Sequence, residues 1–407
     1  MKQSRRDFLR QASIGTLAWP AFTVAHSDEA QTRVAHWFEQ YDRQGVHRTG
    51  TVVDKRSADW LAAEISKFGV KPLLESFALD RVDPLNSFVD IGGRRIEGLP
   101  LFDASFTDAN GVRGKLGLVG GETELGLIEL PPTGGSGASY EATRRASRHR
   151  GLLVITKGTR AGLCPINGTW FKNPVGSPAL QVGSEHGEWL KQQAQQRAPA
   201  HIVVQIKRAT TKAYNVTARI IGSQSQLSPL VVMTPRSGWW HSTSERGGGL
   251  VCWLEVMGAL AAARPERDCL FVASSGHELG HLGLDYFIEQ RHGLVKDAHA
   301  WIHLGANIGA RKDPGYRLQT STDNFDRLAI AAMKAQSARV DEVRPHDASP
   351  LGEAGNIHQG GGRYISMVGS NGLFHHRDDR WPDAVDVDAV KAFARAFVTI
   401  ALTLAKG

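Results

Sequence analysis

The second half of the chain alternates short apolar runs with longer amphipathic runs, and this alternation constrains the possible folds more than any other feature. The apolar runs lie at 230–233, 269–273, 298–303 and 364–368, and the amphipathic runs at 248–263, 281–290, 323–336 and 387–404. Short apolar runs favour buried strands, and runs with a 3.6-residue period favour helices. Strands that alternate with helices form mostly parallel sheets with helices on both faces. The sequence therefore predicts an α/β fold built on a mostly parallel, doubly covered sheet.

The composition excludes several classes of protein. The 407 residues are 41% hydrophobic and 22% charged, which is typical of a folded chain with more than one domain. No run of about 20 apolar residues is present, so no membrane span is predicted. The formal net charge of +7 is small and spread along the chain. We therefore expect no nucleic-acid partner.

The first residues have the pattern of a targeting signal. The segment Ser4-Arg5-Arg6-Asp7-Phe8-Leu9-Arg10 precedes a weakly apolar stretch at 12–24 that is too short to span a bilayer. This arrangement resembles a twin-arginine export signal. The resemblance predicts a signal peptide over residues 1–27, cleavage between about residues 21 and 30, and a periplasmic or secreted protein.

The three cysteines then face an oxidising compartment. Cys164, Cys252 and Cys269 form no metal-binding spacing. Buried free thiols are the favoured interpretation, and one disulfide with one free thiol is the alternative.

The middle of the chain differs in character from both ends. Residues 84–206 hold short strand patterns separated by glycine turns, whereas 28–83 and 207–407 hold helical and α/β patterns. We therefore expect 84–206 to be a separable β-rich insert whose strands do not extend the main sheet. The regions 28–83 and 207–407 would together form the α/β domain.

Several blocks carry a resemblance to a known family. They are Tyr214-Asn215-Val216-Thr217-Ala218, Leu230-Val231-Val232, Asp268-Cys269-Leu270-Phe271-Val272, the segment 142–155 and Pro178-Ala179-Leu180-Gln181-Val182. Together they resemble the zinc exopeptidases related to aminopeptidase Y, glutamate carboxypeptidase and transferrin receptor (peptidase family M-28). The resemblance implies the zinc-exopeptidase fold, with a protease-associated domain as the insert.

The family also implies two zinc ions bridged by an aspartate, with a glutamate as general base. At the corresponding positions this chain has Thr234-Pro235-Arg236 for the first histidine and Gly305 for the aspartate of the second metal. Glu245 takes the place of the bridging aspartate. These replacements predict a degenerate site that holds at most one zinc ion, or none.

The other family positions give the remaining site residues. His277 replaces the general-base glutamate, Glu278 corresponds to the adjacent ligand, and His375 corresponds to the last histidine. The resemblance thus implies Glu245, Glu278 and His375 as metal ligands. His277 is the predicted catalytic residue, either as a neutral base or as a ligand itself.

The segment His277-Glu278-Leu279-Gly280-His281 also reads H-E-x-x-H. On a helix, two histidines four residues apart share a face and bind one zinc ion, and the glutamate activates water. A zinc metalloprotease of this kind is therefore a further alternative.

The loop after the strand at 230–233 offers groups for a substrate. Arg236 can pair with a carboxylate, and Trp240 and His241 can line a pocket. Parallel strands bring their carboxyl ends to one edge, where α/β proteins bind ligands. We therefore expect these side chains, the site residues and the histidines 281, 303 and 376 in one crevice, with Arg236 at its rim.

These patterns predict an exported peptidase-like hydrolase of peptide or amide bonds with a degenerate, at most single-metal site. The expected substrate is a small peptide or an amide-containing small molecule. A metal-free binding protein with the peptidase fold is the first alternative, and the H-E-x-x-H metalloprotease is the second.

Overall fold

The computed structural model describes residues 24–134, 144–145 and 147–407. The predicted twin-arginine segment and most of its apolar stretch lie outside these described residues. The sequence also has a helical pattern at 140–149, of which residues 140–143 and 146 lie outside the described residues.

The strands and helices predicted for residues 230–407 are present in the predicted order, and the structure adds further short elements between them. The helices are α1 (Val24–Arg43), α2 (Val52–Ser66), α3 (Gly187–Gln195), α4 (Thr243–Ala263), α5 (Leu282–Glu289), α6 (Leu294–Asp297), α7 (Asp323–Ala335), α8 (Ala354–Gln359) and α9 (Val387–Leu404). The strands are β1 (Pro72–Ile91), β2 (Arg94–Glu97), β3 (Leu99–Pro100), β4 (Val112–Leu118), β5 (Leu125–Leu130), β6 (Gly151–Thr156), β7 (Ala179–Gly183), β8 (Pro199–Ile220), β9 (Leu230–Pro235), β10 (Cys269–Ser274), β11 (Ala300–Leu304), β12 (Gly315–Thr320), β13 (Glu342–Arg344) and β14 (Tyr364–Ser370).

The main sheet is mostly parallel. Its order is β13-β12-β14-β11-β9-β10-β8, in which β14, β11, β9 and β10 are parallel neighbours. All six residues of β9 are buried, as expected for a central strand covered on both faces. The predicted α/β fold is confirmed.

Helices α1 and α4 pack on one face of this sheet. The apolar residues Val34, Trp37, Phe38 and Tyr41 of α1 are buried, and their spacing at i, i+3, i+4 and i+7 places them on one face of the helix. Helix α4 approaches the loop after β11 closely at Gly248, where an added β-carbon would lie 1.7 Å from the carbonyl oxygen of Ile308. This close contact fixes the first turn of α4, and therefore Glu245, against the carboxyl edge of the sheet.

The insert is joined to the main sheet in a way that the sequence analysis did not predict. Strands β1 and β8 form one antiparallel pair that runs from Pro72↔Ala218 to Ile91↔Ala200, with a register shift near Pro84. Strand β4 pairs with β8, and β5, β6 and β7 follow it. The expectation that the insert strands do not extend the main sheet is therefore wrong. The physical reason is β8 itself, which has no glycine and no proline after its first residue to interrupt pairing.

The insert nevertheless has a hydrophobic cluster of its own. Val89, Leu127, Leu153, Val182 and Ile202 belong to it, and each is at most 2% exposed. Whether residues 84–206 fold independently remains a prediction.

Two smaller expectations concern cysteines and membranes. Cys164, Cys252 and Cys269 are all free and buried, as the favoured interpretation predicted. Burial raises the pKa of the Cys164 thiol to about 11.

Among the described residues, no helix is both long and apolar enough to cross a bilayer.

Candidate active site

A cavity of about 770 Å³ lies where the insert faces the carboxyl edge of the parallel strands. The insert contributes Asp103, Lys157 and Trp170 among others, and the sheet edge contributes His277, His281, His303 and Asn307. Cavities of this size hold small ligands. The crevice predicted at the strand ends is therefore present, but its lining differs from the predicted one.

The H-E-x-x-H segment does not form a helix. His277–Leu279 is a single 3₁₀ turn, and α5 begins only at Leu282. Gly276, Gly280 and His281 have φ angles of 86°, 81° and 65°. These left-handed residues break the helical path, so the two histidines do not occupy one helix face. The H-E-x-x-H metalloprotease reading is therefore wrong, because the geometry that it requires is absent.

The Glu278 carboxylate is turned into the interior and is fully engaged. Oε1 accepts hydrogen bonds from the Thr49 amide at 2.9 Å and the Thr49 hydroxyl at 2.6 Å. Oε2 accepts one from the Ser237 hydroxyl at 2.7 Å. Glu278 therefore connects the loop before α2 to the loop after β9, and its oxygens are not available to a metal ion.

Glu245 and His375 are brought together as the sequence predicted. His375 Nε2 lies 3.3 Å from Glu245 Oε1, and both side chains are at most 1% exposed. The Arg246 guanidinium also contacts Glu245 Oε1, at 2.7 Å. Burial alone would raise the pKa of Glu245, but Arg246 and His375 outweigh burial and lower that pKa to about 2. A cation of the protein therefore already neutralises this carboxylate.

The insert holds His375 in position. The carbonyl of Pro165, in an insert loop, accepts a hydrogen bond from His375 Nδ1 at 2.6 Å. The indole of Trp240 donates to the His375 carbonyl at 3.0 Å. Asp379 accepts hydrogen bonds from the Ser244 and Glu245 amides at the start of α4. These contacts fix the Glu245–His375 pair between the insert and the main domain.

The predicted substrate-binding residues are Arg236, Trp240 and His241. None of them belongs to the described residues that line the cavity. Arg236 is completely buried, pairs with Asp54 Oδ1 at 2.9 Å and donates to the Tyr214 carbonyl. Its guanidinium thus stabilises the interior, and its predicted place at the rim is wrong. Trp240 orients His375, and the carbonyl of His241 accepts a hydrogen bond from His47.

Three histidines lie on the wall of the cavity instead. His277 and His281 have ring centroids 4.7 Å apart, and His303 lies on the neighbouring part of the wall. Burial and the charge of Arg246 hold the pKa of His277 well below its usual value, and burial lowers the pKa of His303 to about 4. Both imidazoles are therefore neutral near pH 7.

Glu353 completes this group and was missed by the sequence analysis. Its Oε1 lies 3.4 Å from His277 Nδ1 and accepts a hydrogen bond from the Ser274 hydroxyl. Glu353 follows Gly352 in a segment without motif or periodicity, so no local pattern indicated it.

The residues do not fit the two zinc ions that the family resemblance implies. Arg236 and Gly305 offer no ligand atom, Glu278 is fully hydrogen-bonded, and Arg246 already pairs with Glu245. Within the described ranges, the only group of three candidate ligand atoms within 4.8 Å of one another is Asp323, Asp326 and His346, at the surface. The predicted set of Glu245, Glu278 and His375 is therefore not assembled.

The parallel core and its cavity at the strand ends define an α/β protein with the zinc-exopeptidase fold. A zinc aminopeptidase from Bacillus subtilis superposes with a TM-score of 0.73 at 15% identity, over 92% of this chain and 94% of that one. A peptidase precursor of family M-28 from Shewanella amazonensis gives a TM-score of 0.70 at 14% identity, over 94% and 96% of the two chains.

The sequence comparisons lead to the same group. Aminopeptidase YwaD from Bacillus subtilis is 22% identical over 338 residues, which cover 78% of this chain and 68% of that protein. No established family profile matches the chain. The predicted resemblance to the zinc exopeptidases of family M-28 is thereby confirmed at the level of the fold.

Proposed function

We propose that the protein is a peptidase-like hydrolase that cleaves the amide bond of a small substrate bound in the cavity. The observation that carries the proposal is the place of His277. It stands where the resemblance puts the general base, and it lines a cavity of about 770 Å³ at the carboxyl edge of the sheet.

The surroundings of His277 support a separate role for each of its two ring nitrogens. His277 Nδ1 lies 3.4 Å from Glu353 Oε1 without a hydrogen bond between them, and we propose that the proton of the ring lies on Nδ1, facing this carboxylate. Nε2 then carries the lone pair on the cavity side. We propose that Nε2 acts on the water that attacks the amide carbonyl.

The insert supplies the opposite wall and limits the size of the substrate. Trp170 and Lys157 line this wall. An apolar group can pack against the Trp170 ring, and Lys157, which also pairs with Glu129 at 3.3 Å, places a positive charge at the rim. Dipeptides, N-acyl amino acids and amino-acid amides are therefore the substrate classes that we propose.

A panel of these three classes tests the proposal. We expect release of amine from at least one class by the full-length protein, measured with a fluorogenic amine reagent. Absence of turnover in all classes, together with saturable binding of one of them, would instead support a binding protein. That second candidate is favoured by one observation, namely the ion pair of Arg246 with Glu245 at the place of the family's bridging ligand.

We also propose export through the twin-arginine pathway, on the N-terminal pattern alone. The double substitution Arg5→Lys with Arg6→Lys is expected to abolish recovery of the protein from the periplasm, because this pathway recognises the arginine pair. Arg10→Lys is the matched control, since it restores the residue of the family pattern and should leave export unchanged. Recovery of the double variant at the unmutated level would contradict the proposal.

A further inference from the structure

We propose that Asn167, in a loop of the insert, is a further catalytic residue, which donates a hydrogen bond from Nδ2 to the carbonyl oxygen of the bound amide. The inference rests on the proposed function, because it requires an amide bond in the cavity. It adds the group that stabilises the negative charge of this oxygen when water attacks. The attacking water and this donor would then be served by different parts of the chain, the sheet edge and the insert.

The reaction needs a donor at the carbonyl oxygen. Hydrogen bonds to the oxygen on which negative charge develops are usually the largest single contribution to the rate of such reactions. In hydrolases with two metal ions, the metals stabilise this charge. The side chains of this protein do not fit the two zinc ions of the family, so we looked for a donor among the residues that line the cavity.

The side-chain amide of Asn167 lines the cavity in a defined orientation. The indole Nε1 of Trp239 donates a hydrogen bond to Asn167 Oδ1 at 2.9 Å. An indole N–H can only donate, so the amide atom that it contacts is the oxygen and not the nitrogen. Nδ2 is therefore the other end of the amide, and none of the described residues accepts a hydrogen bond from it.

The surroundings hold this amide rigidly. Trp239 is 3% exposed and packs against Phe102, with ring centroids 4.6 Å apart. The amide of Ile166, the residue before Asn167, donates to Gln181 Oε1 at 2.7 Å. A donor that is already fixed in position needs little reorganisation when charge develops, which is the property that makes such a donor effective.

The same loop lies against the turn that carries His277. The Gly168 amide donates to the carbonyl of Glu278, the residue after His277, at 2.8 Å. A β-carbon built on Gly280 would lie 2.5 Å from a carbonyl oxygen of this insert loop, so the two backbones are in close contact. Asn167 and His277 therefore line one cavity from two segments that touch each other.

The other asparagines of the cavity do not offer a free donor. Asn307 Nδ2 donates to the Gly369 carbonyl at 3.1 Å, and Asn371 Nδ2 donates to the Ser244 hydroxyl at 2.8 Å. Of the three asparagines among the described residues that line the cavity, Asn167 is thus the one whose amide nitrogen is available to a substrate.

The role of Asn167 leaves the proton balance of the proposed reaction unchanged. Attack by water forms a carbon–oxygen bond, moves the π electron pair of the carbonyl group onto its oxygen, and transfers one proton of the water to His277 Nε2. When the electron pair returns, the carbon–nitrogen bond breaks and the proton on Nε2 passes to the leaving nitrogen. Asn167 keeps both protons of Nδ2 throughout and only donates a hydrogen bond.

Two substitutions of Asn167 with different side effects test the inference. Asn167→Leu removes the donor without adding charge, and Asn167→Asp removes it but keeps an oxygen for the Trp239 indole. Steady-state kinetics of both variants should show kcat lowered by about 10²–10³-fold, with KM within about threefold, because the bond strengthens as the oxygen becomes charged. Asn173→Asp, at an exposed position of the same insert, is the matched control and should keep kcat within about twofold.

Three kinetic results would overturn the inference. One is a rise of KM with unchanged kcat, which would indicate a role in binding alone. Another is a kcat within about threefold of the unmutated protein in a folded Asn167→Leu variant. The third is a loss of kcat in Trp170→Phe without one in the Asn167 variants, which would assign the hydrogen bond to the Trp170 indole. Thermal unfolding shows which variants fold, and Asn167→Asp keeps the test open if Asn167→Leu does not.

A binding experiment separates this inference from the proposed function. If none of the three substrate classes is turned over, the proposed function fails, and calorimetry with their phosphonate analogues decides the inference. These analogues carry a charged oxygen on a tetrahedral phosphorus in place of the carbonyl group. Asn167→Leu should weaken phosphonate binding by about 10-fold or more and amide binding by less than about threefold. Equal effects on both ligands, no effect, or no phosphonate binding to the unmutated protein would overturn the inference.

Discussion

Replacement of His277 by alanine is expected to lower kcat/KM for the amide substrate by about 10²–10⁴-fold, the range that a group acting directly on the attacking water contributes. The physical reason is that His277 lines the cavity and its Nε2 is the nitrogen proposed to act on the water, while Nδ1 lies 3.4 Å from Glu353 Oε1. Steady-state kinetics of both proteins at equal folded concentration measures the effect.

The matched control is His186→Ala. His186 lies in the insert on a short 3₁₀ turn, and its Nε2 atom lies 3.7 Å from the carboxylate of the adjacent Glu185. This change should leave kcat/KM within about twofold, because it touches neither the cavity nor the core. Equal activity of the His277→Ala variant and the unmutated protein would remove His277 from the reaction.

Replacement of Asp54 by alanine is expected to destabilise the protein by about 3–5 kcal/mol, because it leaves the buried Arg236 charge without its partner. The two side chains are 1% and 0% exposed, and they meet at 2.9 Å. Asp54 also accepts hydrogen bonds from the Gly50 amide and the Ser275 hydroxyl. Urea denaturation monitored by tryptophan fluorescence measures the change in the free energy of unfolding.

Two further variants separate the effect of the unpaired Arg236 charge from the effect of the lost contacts. Asp59→Ala on the same helix removes an exposed pair with Lys55 and should cost no more than about 0.5 kcal/mol. The double variant Asp54→Ala with Arg236→Met should recover part of the stability lost in Asp54→Ala, since it removes the unpaired charge. A double variant less stable than the single one would show that the contacts of Arg236 with Tyr214 matter more than its charge.

The Asp54–Arg236 pair also explains why the substrate role predicted for Arg236 failed. An arginine after a strand, at the carboxyl edge of a sheet, has the same local sequence whether it faces a cavity or the interior. Asp54 lies far away in the chain, on α2, and its pairing with Arg236 exists only in the folded protein. The burial of that arginine was therefore not predictable from its neighbours.

The directions of the adjacent side chains His277 and Glu278 could not be predicted from the sequence either. The resemblance placed both in the site, but the 3₁₀ turn sends His277 to the cavity and Glu278 to Thr49 and Ser237. The glycines at 276 and 280 permit this turn because they adopt positive φ angles. The glycines were visible in the sequence, but the directions of the two side chains were not.

The sequence by itself determined the α/β class, the buried strands, the apolar face of α1 and the edge of the sheet at which a cavity forms. These properties follow from periodicity and from the rule that parallel strands end on one side, both of which are local. Only the tertiary structure decided that β8 continues from the main sheet into the insert, that Glu278 is turned inward, and that Glu353 joins the histidines of the cavity. Each of these depends on a partner tens to hundreds of residues away, and the distance between such partners is set by packing rather than by the local pattern.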